Sequence, residues 1–133
     1  MKKIEHIGIA VVNLDEASKL YSNILGVKPY KSEVVDLEGV ITSFFQTENV
    51  KIELLQGIKS GNAISKFIQK RGEGIHHIAF EVDDINEEIK RLKKLGLNII
   101  NQTPKRGADN KLICFIHPKS TNHVLIEFCQ KIK

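Results

Sequence analysis

The chain has 133 residues, 41% of them hydrophobic and 27% charged, and a net charge of +4, the composition of a globular protein that can bury a sizeable core without disulfide staples. The basic excess is modest and scattered; with no Trp, only two Tyr and no basic–aromatic run, it argues against nucleic acid and suits an anionic small-molecule substrate. No apolar stretch is long enough to span a bilayer, and the short run after Lys2 and Lys3, broken by Glu5 and His6, does not read as a secretory signal.

The first predicted strand alternates, with Ile7, Ile9 and Val11 on one face and His6, Gly8 and Ala10 on the other. Asn13 followed by Glu16 has capping-box spacing, and Gly26 stands where a left-handed helix stop is expected. Strands are predicted over 28–34, 40–46 and 50–56. A short helix then starts at Asn62, with Ile64, Phe67 and Ile68 as its apolar stripe and Gly72 ending it. The pattern begins again with Ile78, Phe80 and Val82 opposing His77, Ala79 and Glu81. Asp84 with Glu87 repeats the cap, Gly96 repeats the stop, and strands follow over 97–102, 111–117 and 123–130. Residues 108–110 and 119–122 read as exposed loops, with Gly107 allowing a sharp turn. Cys114 and Cys129 lie in apolar strand-like runs and read as buried thiols of a cytoplasmic protein, not as a disulfide.

This is an internal duplication. Ile4, His6, Ile7, Val11, Glu16 and Lys19 match Ile75, His77, Ile78, Val82, Glu87 and Lys90 at a constant offset of 71. Farther on, Lys51–Leu55 echoes Leu125–Cys129 and sets Glu53 opposite Glu127. The expected fold is α+β: two βαβββ modules related by a pseudo-twofold, 1–58 and 74–133 with 59–73 linking them, whose sheets form one open, curved, mixed sheet around a central site.

Each half thus supplies one His early and one Glu late, on the face whose small Gly or Ala neighbours leave space. A carboxylate inside an apolar strand is costly unless its charge is compensated, and a divalent cation would compensate it. Two imidazoles and two carboxylates suit Co²⁺, Ni²⁺, Mn²⁺ or Zn²⁺, making His6, Glu53, His77 and Glu127 the candidate ligands. The competing reading for any one of them alone is a satisfied core or surface polar group; the paired placement favours metal. His76 points away from His77 and reads as structural, His117 and His123 as solvated, and the helix face of Lys90, Arg91, Lys93 and Lys94 as wet surface.

In the segments IEHIGIAV, KIELL, KFIQKRGEGIHHIAFEVDDI and FIHPKSTNHVLIEF, the chain resembles the vicinal oxygen chelate superfamily, and within it the methylmalonyl-CoA epimerases. The resemblance covers nearly the whole chain and implies a metal-dependent cytoplasmic isomerase, a homodimer, that exchanges a proton α to an acyl thioester carbonyl. It carries the metal ligands onto the same four residues and names Glu127 as one acid–base. The Glu that serves as the other in some relatives falls near Thr42, so Glu53 is the substitute. Lys105, Arg106, Lys111 and Lys119 are candidates for the carrier phosphates. GADNK departs from the GAHGK-like turn of those epimerases, and TNH replaces a small Gly-rich turn. The alternatives are glyoxalase I, whose ligand set is also met, a metal-free resistance-type binding protein of the same fold, and an extradiol dioxygenase, which wants the fourth position open.

Overall fold

Alternation and capping do what the sequence asks of them in both halves. In the computed structural model, which describes residues 2–133, β1 (Lys3–Ala10) leads to α1 (Leu14–Leu25), β2 (Lys31–Val35), β3 (Val40–Gln46), β4 (Lys51–Gly57) and α2 (Ala63–Arg71). The order restarts with β5 (Gly74–Glu81), α3 (Ile85–Lys94), β6 (Lys105–Arg106), β7 (Lys111–Ile116), a 3-10 turn at Pro118–Ser120 and β8 (Ile126–Lys131). Two compact units result, His6–His76 and His77–Lys133, the second also taking the N-terminal residues up to Glu5. The α+β class and the twice-repeated βαβββ order are those expected. The segment 59–73 groups with the first unit, and residues 2–5 group with the second.

In the first unit the strand order is β2-β3-β4-β1. β1 runs parallel to β4, and β2, β3 and β4 are antiparallel neighbours. One face carries Ile9, Val11, Phe45 and Leu54 against Leu14, Ala17, Tyr21 and Leu25 of α1. The other carries Ala10, Val35, Val40 and Leu55 against Ile64, Phe67 and Ile68 of α2. Each large side chain buried this way contributes about 1.5–3 kcal/mol. The second unit has the order β5-β8-β7-β6, again with one parallel pair, β5 with β8. Val82, Cys114, Ile116 and Phe128 pack against Ile85, Ile89 and Leu92 of α3.

The helix ends are fixed as the sequence predicts. Asn13 Oδ1 accepts from the Glu16 N–H at 3.0 Å, and Asp84 Oδ1 from the Glu87 N–H at 3.1 Å. A second tether was not foreseen. Gln56 Oε1 accepts from the Leu14 N–H at 2.7 Å, and Gln130 Oε1 from the Ile85 N–H at 2.8 Å. In each module the strand that bears the late Glu therefore carries, three residues on, a Gln that holds the start of the module's helix.

Three local expectations change. Residues 97–102 do not form a regular strand: Ile99 makes only an isolated bridge to Ile116. The Ile100 N–H still donates to the Phe115 carbonyl at 2.8 Å, but the returning Phe115 N–H goes to Asn101 Oδ1 at 2.9 Å. An amide side chain thus intercepts the ladder, and Pro104, with no N–H to give, cannot restore it; pairing resumes at Lys105. The C-terminal strand begins at Ile126 rather than 123, because Asn122 and His123 both adopt positive φ, 56° and 68°. The turn before β7 is made by Asp109 and Asn110, with φ of 57° and 56°, not by Gly107. Gly107 is required for closeness: a Cβ there would lie 2.7 Å from Ile113 Cδ1 and 2.9 Å from its Cγ2.

Gly107→Ala is expected to destabilise the chain by about 1–3 kcal/mol through this overlap with a buried side chain, read as a lower urea midpoint. An unchanged midpoint would show that Ile113 has room to move.

Candidate metal centre

Register decides which side chains share a face. In the first unit Glu53 lies between Gly8 on β1 and Phe44 on β3. In the second, Glu127 lies between Ala79 on β5 and Phe115 on β7. Each carboxylate thus has a small residue on one side, leaving space for its head group, and an aromatic wall on the other. Ile52 and Leu54 pack on the α1 side, and Ile126 and Phe128 on the α3 side, so both Glu side chains take the opposite face, as alternation predicts.

Each Glu meets the His of its own module. His6 Nε2 is 3.3 Å from Glu53 Oε1, and His77 Nε2 is 3.3 Å from Glu127 Oε1; all four residues are buried. The His77 ring meets Phe115 edge-on, with centroids 5.9 Å apart, which fixes the plane in which its nitrogen is offered. Each unit therefore presents one imidazole and one carboxylate, buried and in the same arrangement. Within each unit the donors are of the kind a divalent cation takes, an imidazole nitrogen and a carboxylate oxygen whose charge would otherwise sit in an apolar face.

The other candidates are distributed more widely. Lys105 pairs with Ile113 and Arg106 with Leu112, so Lys105 shares the Glu127 face and Arg106 does not. Arg106 donates to Asn110 Oδ1 at 3.0 Å. Lys111 is on the Glu127 face but buried, its ammonium 3.9 Å from Glu5, 3.6 Å from Asp109 and donating to the Asp109 carbonyl at 3.2 Å. Lys119 is exposed on the 3-10 turn, its N–H held by His117 Nδ1 at 3.0 Å. His117 is thus a cap. His76 is a packing residue, its ring edge-on to Phe67 at 5.1 Å. Thr42 is fully buried on the Glu53 face.

Sequence reasoning missed two charged groups on these faces, Lys31 and Glu33. The alternation over Lys31–Val35, combined with the hairpin to β3, is the signal that would have placed them. Glu81 stands where the first module has Ala10; its Oε1 is buried without a hydrogen-bond partner, 3.8 Å from the Lys131 ammonium. Next to it, the Cys129 thiol is fully buried, 3.6 Å from the Phe80 carbonyl to which it donates. Burial, with the Glu127 charge adding to it, pushes Cys129 well above the usual thiol range; the same two causes push Cys114 up to about 12.

Residues 5–115 match the family described as Glyoxalase/Bleomycin resistance protein/Dioxygenase superfamily. The chain belongs to that superfamily. Within it, the chain is similar to proteins named methylmalonyl-CoA epimerase. It is 42% identical to the mitochondrial methylmalonyl-CoA epimerase of Dictyostelium discoideum, covering 97% of this chain and 78% of that one. It is 38% identical to the ethylmalonyl-CoA/methylmalonyl-CoA epimerase of Cereibacter sphaeroides, covering 96% and 97%. A substituted form of the Streptomyces coelicolor methylmalonyl-CoA epimerase, solved in complex with 2-nitronate-propionyl-CoA, is 30% identical, covers 98% of this chain and 95% of its own, and has a TM-score of 0.93. Similarity to a lactoylglutathione lyase of Neisseria meningitidis is weaker, at 27% over 97% of this chain and 91% of that one.

Both thiols are expected to stay protonated and unmodified when the native protein meets iodoacetamide near neutral pH, and both to alkylate in guanidinium. The check is intact-mass measurement; rapid labelling of either cysteine in the native protein would contradict the burial described.

Proposed function

We infer that the chain is a divalent-metal-dependent isomerase that epimerises methylmalonyl-CoA. The reading is carried by one observation: in a chain this similar to such epimerases, each module presents a buried imidazole 3.3 Å from a buried carboxylate, His6 with Glu53 and His77 with Glu127. These four are the proposed ligands of a single cation, with the two modules acting as one domain. When bound, the ion would supply Lewis-acid stabilisation of the negative charge that develops on the substrate's oxygens.

The chain's own residues do the rest. The reaction breaks the C–H bond α to the thioester carbonyl, moves its electron pair into the carbonyl, and returns a proton on the opposite face. Glu127 is assigned one of the two proton transfers. It is buried between Ala79 and Phe115. Glu53, proposed from sequence as the other carrier, lies against His6 as Glu127 lies against His77, which suits a ligand. Lys105 and Lys119 are the stronger candidates for the CoA phosphates. Lys111 is surrounded by carboxylates, and Arg106 is turned to the other face and occupied by Asn110. No described helix is long and apolar enough to cross a membrane, and the two free cysteines agree with a working site in the cytoplasm. A homodimer is proposed from the resemblance.

Purified protein reloaded with Co²⁺ or Ni²⁺ is expected to incorporate solvent deuterium into methylmalonyl-CoA, with little or no turnover of the methylglyoxal–glutathione hemithioacetal. Activity confined to the hemithioacetal would make the protein a glyoxalase I. No bound metal and no activity after reloading would make it a binding protein. Glu127→Gln should lower turnover by about 10²–10⁴-fold, the scale of one lost proton-transfer group, and His77→Ala should weaken Co²⁺ binding in a calorimetric titration.

A further inference from the structure

Epimerisation with inversion requires a second proton carrier on the face of the carbon away from Glu127; Thr42 stands near the place of the Glu that serves in some relatives and cannot serve, and Glu53, the expected substitute, lies against His6. A threonine hydroxyl is a poor base, and Thr42 is fully buried with its Oγ1 donating to the Glu33 carbonyl at 3.4 Å. The inner face of the first unit can be mapped strand by strand from register. Phe44 pairs with Glu53 and Thr42 with Leu55; Lys31 pairs with Phe44 and Glu33 with Thr42. Val35, two residues on from Glu33, packs with Ala10, Val40 and Leu55 under α2, whereas Ile41, Phe45 and Leu54 pack under α1. Glu33 therefore shares the Glu53 face, and Thr42 is the residue between it and Leu55.

The geometry points to Glu33 as the second proton-transfer residue, an assignment that rests on the epimerase reading above. Thr42 carries only a methyl and a hydroxyl beyond its Cβ, so no long side chain rises from β3 between Glu33 and β4. A Glu on the neighbouring strand can lean across that gap. The Lys31 ammonium, 3.2 Å from Glu33 Oε1, steadies the carboxylate from the same edge, and the Glu33 side chain is 29% exposed. Of the two carboxylates that register puts on this face, Glu53 lies against His6 and is the proposed ligand, while Glu33 stands on the edge strand beside Lys31. In the step proposed, Glu33 takes the α-proton of one epimer as its C–H bond breaks, the electron pair moves into the thioester carbonyl, and Glu127 returns a proton to the opposite side; the reverse direction exchanges the roles. Atoms and charge balance without any further reactant.

Glu33→Gln separates this role from a structural one. Co²⁺ binding, followed by calorimetry, should be unchanged in stoichiometry and affinity. With the two epimers of methylmalonyl-CoA supplied separately in deuterium oxide, the variant should lose interconversion by about 10²-fold or more. It should still exchange the α-proton of the epimer that Glu127 deprotonates, without inversion. Interconversion near the wild-type rate would overturn the assignment to Glu33 alone and leave the epimerase reading intact. Loss of Co²⁺ binding, or equal loss of exchange for both epimers, would also overturn it, since Glu33 would then be acting on the fold or the ion. A wild-type chain inert toward both epimers would fail the epimerase reading itself, and this assignment with it.

Discussion

Two ionisable carboxylates are set into the middle of apolar strands, and the rest of the structure is arranged so that this can be tolerated. A charged group removed from water costs several kcal/mol unless something of opposite polarity meets it. Here Glu53 and Glu127 each face an imidazole from the parallel strand of the same module. The parallel pairing is what makes this possible: a strand that enters the module first and one that enters last lie side by side, so a His near the start of the module reaches a Glu near its end. A slip of one residue would turn each Glu toward α1 or α3 and bring Leu54 or Phe128 into its place. Gln56 and Gln130 guard against that slip, since each ties the Glu-bearing strand to the first turn of the helix packed on it.

Much of this was legible in the sequence. The repeat, the period-two strands, the Asn13 and Asp84 caps and the face of each His and Glu follow from local rules, which depend on backbone geometry that sequence spacing encodes directly. What escaped is what depends on register between strands distant in sequence. Glu33 became visible only once it was known to pair with Thr42, and Lys111 changed from a free cation to a buried, carboxylate-bound one once Glu5 and Asp109 were placed around it. The failed strand at 97–102 has a different cause: its apolar content reads correctly, but Asn101 competes with the backbone for the ladder hydrogen bond, and composition does not register that competition.

The duplication is closest around the two His–Glu pairs and relaxed elsewhere. Gly8, Glu53 and Phe44 correspond to Ala79, Glu127 and Phe115, nearly the same set in the same register. Toward the other end of the sheet the correspondence breaks. Ala10, Val40 and Leu55 of the first module are covered by Ile64 and Phe67 of α2, while their counterparts Glu81, Lys111 and Cys129 are a polar, buried group with Glu5.

Residues 2–5 stand far in sequence from the unit that holds them. Lys2 donates its N–H to the Glu81 carbonyl and pairs with Asp83, and Glu5 meets Lys111, so the start of β1 belongs to the unit formed by residues 77–133. Closing a loop that long has an entropic cost that grows only slowly with length, but the contact needs Glu81 and Lys111 already in place. A substitution at Lys2 or Glu5 would consequently be felt first around Glu81 and Lys111, more than seventy residues away in sequence.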